Sequence, residues 1–371
     1  MSHLFSPWTL GPMTLENRIV VAPMCQYSAI DGNAQDWHTI HLGTLAQSGA
    51  GLLIIEATAV SAEGRITPGD LGLYSDANEA ALKRVMEAVG KYAISTMAIQ
   101  LAHAGRKASS DVPWQGGAQI ASTDPEGWHA VAPSALPHSE GEEVPLALDE
   151  AGLGKIRDDF AAAARRAVGL GFRGIEVHMA HGYLLHQFLS PIANQRTDIY
   201  GGSLENRMRF PLEVFDAVKA AVPADIPVWV RVSGTDWVPG GWDIDDTIAL
   251  GLALKERGSA AIHVSSGGVS PKQEIPLSDG YQVPLAARVK HAVGLPTIAV
   301  GLITEPSHAE AILDQGDADA IALARGLLYD PRWPWHAAAE LGAQIDAPPQ
   351  VWRSQPRAHK ALFKNAKIGQ R

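Results

Sequence analysis

Eight times along this chain a short, unbroken apolar run gives way to a stretch with helical spacing, and that alternation constrains the fold more than any other feature. The runs lie at residues 19–23, 51–57, 95–101, 173–177, 226–232, 260–265, 297–300 and 318–322. They are rich in β-branched residues and do not alternate apolar with polar, which is the pattern of strands buried on both faces of a parallel sheet. Helices are expected at 37–47, 78–92, 149–170, 245–257, 282–293 and 305–314, with one more capped by Ser203 and kinked or restarted at Pro211. Asn78 reads as the N-cap of the second helix. In the helix at 149–170, Leu153, Ile156, Phe160, Ala163, Ala164 and Ala167 fall at three- and four-residue spacing, and Gly169 and Gly171 mark its stop. Eight strand–helix units close into a single (β/α)8 TIM barrel of the α/β class. A doubly wound open sheet is the alternative, but no G-x-G-x-x-G follows the first strand.

One connection is too long for a plain barrel. Residues 103–148, rich in Pro, Gly, Ser, Trp and His, leave the C-terminal end of the third strand and are expected to form a lid or small subdomain, with Trp114 and Trp128 as surface anchors. The barrel domain then spans 1–350, and 351–371 is a C-terminal tail.

With 371 residues, 46% of them hydrophobic, the chain has ample material for a large core. Its net charge of −10 makes nucleic acid and anionic membrane poor candidate partners. Cys25 is the single cysteine, so no internal disulfide, four-cysteine zinc site or cysteine-ligated iron–sulfur cluster can form. No apolar run reaches the roughly 18 residues that span a bilayer. The first eighteen residues lack a basic region followed by an apolar core. A soluble, cytoplasmic protein is expected.

The chemistry concentrates where the fourth strand ends, at His178-Met179-Ala180-His181-Gly182-Tyr183. Two imidazoles three positions apart can both donate to one oxygen, and a tyrosine two positions on can deliver a proton. Three readings stand: a polarising pair with an acid, a metal site built from H-x-x-H, and buried histidines satisfied by backbone. In a barrel the other strand ends face the same pocket. They bring Pro23, Met24, Cys25 and Tyr27, then Ala57, Gln100, His103 and Arg231, then Ser265-Ser266-Gly267-Gly268, Gly301 and Ala324-Arg325-Gly326. Glycines and an arginine after strands 7 and 8 suit a phosphate group, held by bare backbone N–H groups. In an acidic chain the positive charge must be supplied locally, and Arg231 and Arg325 supply it.

Pro23-Met24-Cys25-Gln26-Tyr27, His178-x-x-His181-Gly182-Tyr183-Leu184 and Asn194-x-Arg196-x-Asp198-x-Tyr200-Gly201-Gly202-Ser203-x-Glu205-Asn206-Arg207 resemble the signatures of the old yellow enzyme family. The resemblance runs from about Leu4 to about Arg357, and the cysteine and tyrosine after the first strand resemble the bacterial xenobiotic-reductase and thermophilic-like branch. It implies an FMN-containing barrel that takes hydride from NADPH (or NADH) and reduces the activated C=C bond of α,β-unsaturated carbonyl or nitro compounds. It also implies roles for residues. His178 and His181 would bind the substrate oxygen, Tyr183 would protonate the α-carbon, and Tyr27 would add a substrate contact. Gln100 and Arg231 would face the flavin's pyrimidine edge. Ala57 and Ala22, Pro23, Met24 and Cys25 would line the isoalloxazine, with Cys25 tuning its potential. Gly268, Gly301, Ala324 and Arg325 would complete the cofactor side. The segment 194–207 reads as a brace with no catalytic part.

Trp352 and Arg353 sit where members of this branch place a residue that enters the neighbouring subunit's site, which implies a homo-oligomer with shared sites. From Arg353 onward the chain carries six Lys or Arg and no Asp or Glu, so the tail either packs on an acidic partner subunit or ends as a solvated fray. Three rivals remain. A metal-dependent hydrolase would use His178, His181 and His263. A flavin and iron–sulfur dienoyl-CoA reductase lacks cluster ligands here, and a flavin-storage protein would have no use for Tyr183.

Overall fold

Strands form where the apolar runs predict them, to within about two residues at each end, because β-branched side chains suit a pleated surface buried on both sides. In the computed structural model, which describes residues 2–367, they are β1 (Ile19–Val21), β2 (Leu52–Ala59), β3 (Thr96–Ala102), β4 (Ile175–Met179), β5 (Val228–Ser233), β6 (Ile262–Ser265), β7 (Thr297–Ala299) and β8 (Ala320–Leu323). Each pairs in parallel with the next, and β8 pairs back to β1 through Ile321 and Ile19, so the barrel is closed.

The strands alternate between two apolar layers. Ile19, Val21, Leu53, Ile55, Ile99, Ile175 and Val177 face the helices: α1 (Asp36–Ala46), α2 (Asp76–Gly90), α3 (Glu150–Gly169), α4 (Leu184–Leu189), α5 (Leu204–Ala220), α6 (Ile244–Glu256), α7 (Val283–Val293) and α8 (Pro306–Asp314). Val20, Leu52, Ile54, Ala98, Trp229, Ala261, Ile298 and Ala320 fill the barrel's interior. That interior is plugged from below by an antiparallel hairpin, Trp8–Leu10 with Met13–Leu15, whose Trp8, Leu10, Met13 and Leu15 join the same cluster. Two further helices, α9 (Arg325–Tyr329) and α10 (Trp333–Glu340), follow β8.

Two helix details differ from expectation. Ser75, not Asn78, caps α2: its Oγ accepts the backbone N–H of Asn78 at 3.1 Å, so the helix begins three residues earlier. And α5 runs unbroken through Pro211. The missing N–H costs on the order of 3 kcal/mol. Burial of Phe210, Leu212, Val214, Phe215 and Val218 outweighs it.

Residues 103–148 are folded rather than structureless. Short turns at Gly105–Lys107 and Pro113–Gln115 precede a small parallel pairing of Val131–Ala132 with Leu146–Ala147. Trp128 anchors the excursion by donating to the Glu63 carbonyl at 3.0 Å. Trp114 does not; it is exposed, with its ring edge on Tyr27. The 194–207 segment braces as expected: Arg196 donates to the carbonyls of Pro133 and Leu148, tying the excursion down.

After a turn at Pro349–Ser354 the tail folds back on its own chain, burying Leu362 and Phe363 against Trp335 and Ile345. Residues 368–371, where the sequence suggests fraying, lie outside the described residues. Among the described residues no helix is long and apolar enough to cross a membrane.

Candidate active site at the barrel mouth

Above the apolar plug the barrel's interior turns polar within one residue layer. Glu176 on β4 is fully buried, and one carboxylate meets three donors: Gln100 Nε2 at 2.7 Å, Trp229 Nε1 at 2.8 Å and His263 Nδ1 at 2.8 Å. Burial alone would push this carboxyl up, but His263, Arg231 and Trp229 outweigh it and hold it below the usual range. Because Gln100 donates from its amide nitrogen to Glu176 beside it in the register, its amide oxygen is left to accept from a ligand.

Two residues further up their own strands come His178, Arg231 and Ser265; in the sheet register Arg231 stands between His178 and His263, and Ser265 beside Ser233. His178 Nε2 is 3.3 Å from His181 Nδ1, and the rings stand perpendicular at 89°. Tyr183 packs edge-on to His178, with ring centroids 5.0 Å apart. His181 adopts φ +60, uncommon for a residue with a Cβ, and three bonds over-determine it. Its N–H donates to Ser233 Oγ at 3.0 Å, its carbonyl accepts from Lys107 Nζ at 2.9 Å, and its Nε2 lies 2.7 Å from Ser265 Oγ. Gly182 follows at φ +74 and lies against the Gly268 backbone, so any Cβ there would overlap the Gly268 carbonyl. Burial, then Arg231, holds both imidazoles well below 6.5. Burial, then Cys25 and Tyr27, holds the Tyr183 phenol well above 10. The pair is therefore neutral and the phenol protonated at neutral pH.

Across the mouth, Cys25 and Tyr27 follow β1, with Tyr27 at φ +51. Glu56 fixes that loop by accepting the Gln26 N–H at 2.9 Å. Burial, then Asp70 and Glu56, keeps the Cys25 thiol protonated. Tyr27 borders a cleft shared with Ile66, Arg106 and Lys107.

Arg231 is 7% exposed, and among the described residues its side chain makes no hydrogen bond or salt bridge; its Nε is a buried donor with no partner. A buried cation with free donors is costly unless a ligand fills the space. It opens onto a cleft of about 200 Å³ lined by Ser265, Gln282, Gly301, Ala324, Arg325 and Gly326. Gly301 sits at φ +127 with no room for a side chain beside Gln282. Bare backbone and Arg325 at the strand-7 and strand-8 ends fit a flavin mononucleotide's phosphate, and Gln100 with Arg231 fit its pyrimidine edge.

The structure thus brings together Cys25, Tyr27, Ala57, Gln100, His178, His181, Tyr183, Arg231, Gly268, Gly301, Ala324 and Arg325 around one mouth. It does not bring Trp352 or Arg353 there within one chain; Trp352 is tucked against its own backbone, donating to the Ala347 carbonyl at 2.9 Å. His263 turns toward Glu176, away from the pair, and among the described residues no three His, Cys, Asp or Glu side chains gather as a metal site. Sequence reading missed Glu176, Lys107, Ser233 and Gln282. Glu176 had a signal, a carboxylate inside an apolar strand, two positions before His178 and so on the same face. Lys107 had none.

A family model described as NADH:flavin oxidoreductase / NADH oxidase matches residues 3–344. An NADPH dehydrogenase of Geobacillus sp. (strain WCH70) is 44% identical over 352 residues, covering 94% of this chain and 98% of that protein. One from Bacillus pumilus (strain SAFR-032) is 44% identical over 355 residues, covering 95% and 99%. Among solved structures, morphinone reductase superposes with a TM-score of 0.75 at 31% identity, covering 99% of this chain and 94% of that one. Its complex with tetrahydroNAD gives 0.74 at 31%, covering 98% and 95%. With the barrel closed and its mouth built for a flavin, the chain belongs to the NADH:flavin oxidoreductase / NADH oxidase family, as an FMN-dependent, NAD(P)H-using enzyme of the old yellow enzyme type.

Proposed function

We propose that this enzyme reduces the activated C=C bond of α,β-unsaturated carbonyl or nitro compounds, such as enones and maleimides. The observation that carries the reading is the neutral His178–His181 pair, with a protonated Tyr183 edge-on beside it and Arg231 buried on the same layer. Bound FMN would supply the redox chemistry, hydride exchange between NAD(P)H and the acceptor.

The chain's own residues do the rest. Arg231 and the amide oxygen of Gln100 would hold the flavin's pyrimidine edge, Ala57 and the Ala22–Cys25 backbone its ring, and Gly268, Gly301, Ala324 and Arg325 its phosphate end. Cys25 would lie against that ring and modulate its potential. His178 and His181 would donate to the substrate's oxygen, where negative charge grows as hydride arrives, in a pocket dry enough to make those bonds count. Tyr183 would give its proton to the α-carbon and recover one from water. Tyr27, and Trp352 with Arg353 from a neighbouring subunit of a homo-oligomer, would shape the substrate end. Residues 103–148 would act as the lid.

An anaerobic visible spectrum tests the whole. The purified protein should show a flavin band that bleaches with NADPH and returns on adding 2-cyclohexenone. A colourless protein that cannot be reconstituted with FMN overturns the reading.

A further inference from the structure

The hydrogen bonds around His181 leave one proton with two possible seats. The N–H of Ala180 donates to His178 Nδ1 at 3.2 Å, so a neutral His178 carries its proton on Nε2. That Nε2 faces His181 Nδ1 at 3.3 Å, and the other nitrogen of His181 faces Ser265 Oγ at 2.7 Å. Behind Ser265, at 3.4 Å, stands Gln282 Oε1. The Gln282 amide is fixed oxygen-inward: its Nε2 donates to the Val300 carbonyl at 2.9 Å, and its Oε1 accepts from Ser266 at 2.6 Å. Gln282 can therefore accept from Ser265 but not donate to it.

Two complete arrangements follow. In the closed one His178 Nε2–H donates to His181, His181 Nε2–H donates to Ser265, and Ser265 donates to Gln282. In the open one the Ser265 hydroxyl turns to donate to His181 Nε2, and His181 carries its single proton on Nδ1. Both rings then aim N–H groups at the same space, which is unfavourable until an acceptor oxygen enters. One proton leaves Nε2 and another arrives at Nδ1 by exchange with water, so charge is unchanged. Burial and the nearby Arg231 and Lys107 keep the imidazole from taking a second proton, so the choice is forced.

We infer that Ser265 is the tautomer-setting residue of the site: by turning from Gln282 to His181 it lets the imidazole pair present two donors to a carbonyl or nitro oxygen. This rests on the reading that the pair receives that oxygen. Ser265 acts through His181 and is a positioning residue. The turn keeps the 2.7 Å contact with His181 and gives up only the long 3.4 Å bond to a Gln282 oxygen that Ser266 already occupies.

The test compares two probes on the FMN-loaded protein, read by perturbation of the flavin spectrum: cyclohexanone, which has the acceptor oxygen, and methylenecyclohexane, which lacks it. Wild type should prefer cyclohexanone. Ser265→Ala, a buried change small enough to leave the fold intact, strands His181 Nε2 in the open state and should weaken cyclohexanone by about tenfold while leaving methylenecyclohexane unchanged. Histidine ¹⁵N spectra, with His181→Gln to identify the signal, should show Nδ1–H in the wild-type cyclohexanone complex. Unchanged cyclohexanone affinity, equal loss of both probes, or weakened FMN retention with discrimination intact each overturns the role of Ser265. A wild type that does not discriminate between the probes refutes instead the pair as the oxygen site, and the inference with it.

Discussion

Replacing Tyr183 with phenylalanine separates the two half-reactions. The substitution removes one hydroxyl and keeps the ring, which is held edge-on by His178 and lies under the Lys107 ammonium at 5.0 Å. Packing and stability should therefore stay within about 0.5 kcal/mol of wild type. Burial keeps the phenol protonated across the working pH range, so in wild type every turnover finds the acid loaded. Removing a positioned general acid costs roughly 10²- to 10⁴-fold, and the low end corresponds to about 2.7 kcal/mol of transition-state stabilisation. Reduction by NADPH calls on no proton from Tyr183 and should change less than about threefold, within what altered packing alone produces. Anaerobic stopped-flow measures each step separately, through bleaching of the flavin band with NADPH and its recovery with 2-cyclohexenone. If both rates fall equally, or recovery is unaffected, Tyr183 is not the proton donor.

Gly182→Ala should cost several kcal/mol in thermal melts, because a Cβ there would overlap the Gly268 oxygen, whereas Gly202→Ala, at φ +79 with nothing within 4 Å, should cost only about 1 kcal/mol. Glu56 is pushed up to about 8 by burial. A carboxyl whose folded value is raised favours folding below its unfolded pKa and loses that contribution as pH climbs through the folded value. The melting temperature should thus fall from pH 7 to pH 9, and Glu56→Gln should flatten the fall; a parallel slope in the variant removes Glu56 as its source. Arg353→Ala should raise KM for the enone without changing melting temperature if a neighbour's tail enters the site, and an unchanged KM retires that contact.

The barrel was legible because its strands are buried on both faces, and burial writes itself into sequence as unbroken apolar runs. The strand ends then named most of the mouth, since a closed parallel barrel leaves only one place for them to converge. What sequence hid depends on direction rather than identity. Ser75 and Asn78 are both good caps, and only the path of the chain chooses between them. Lys107 reaches His181 from inside a long connection with no periodic pattern. His263 looked like a third ligand for the pair until its ring proved to face Glu176. The hairpin at Trp8–Leu15 is three residues per strand, too short for periodicity to register.

That hairpin sets a problem of timing. It is synthesised some two hundred residues or more ahead of Trp229, Ala261, Ile298 and Ala320, which bury it. Its own neighbour β1 must wait for β8, roughly three hundred residues later, before the ring can close. Until then Trp8, Leu10, Met13 and Leu15 are an exposed apolar ribbon on a growing polypeptide, the kind of surface that attracts chaperones or other nascent copies. Yield in expression should therefore depend on what is fused ahead of Trp8, even though no residue there comes near the chemistry.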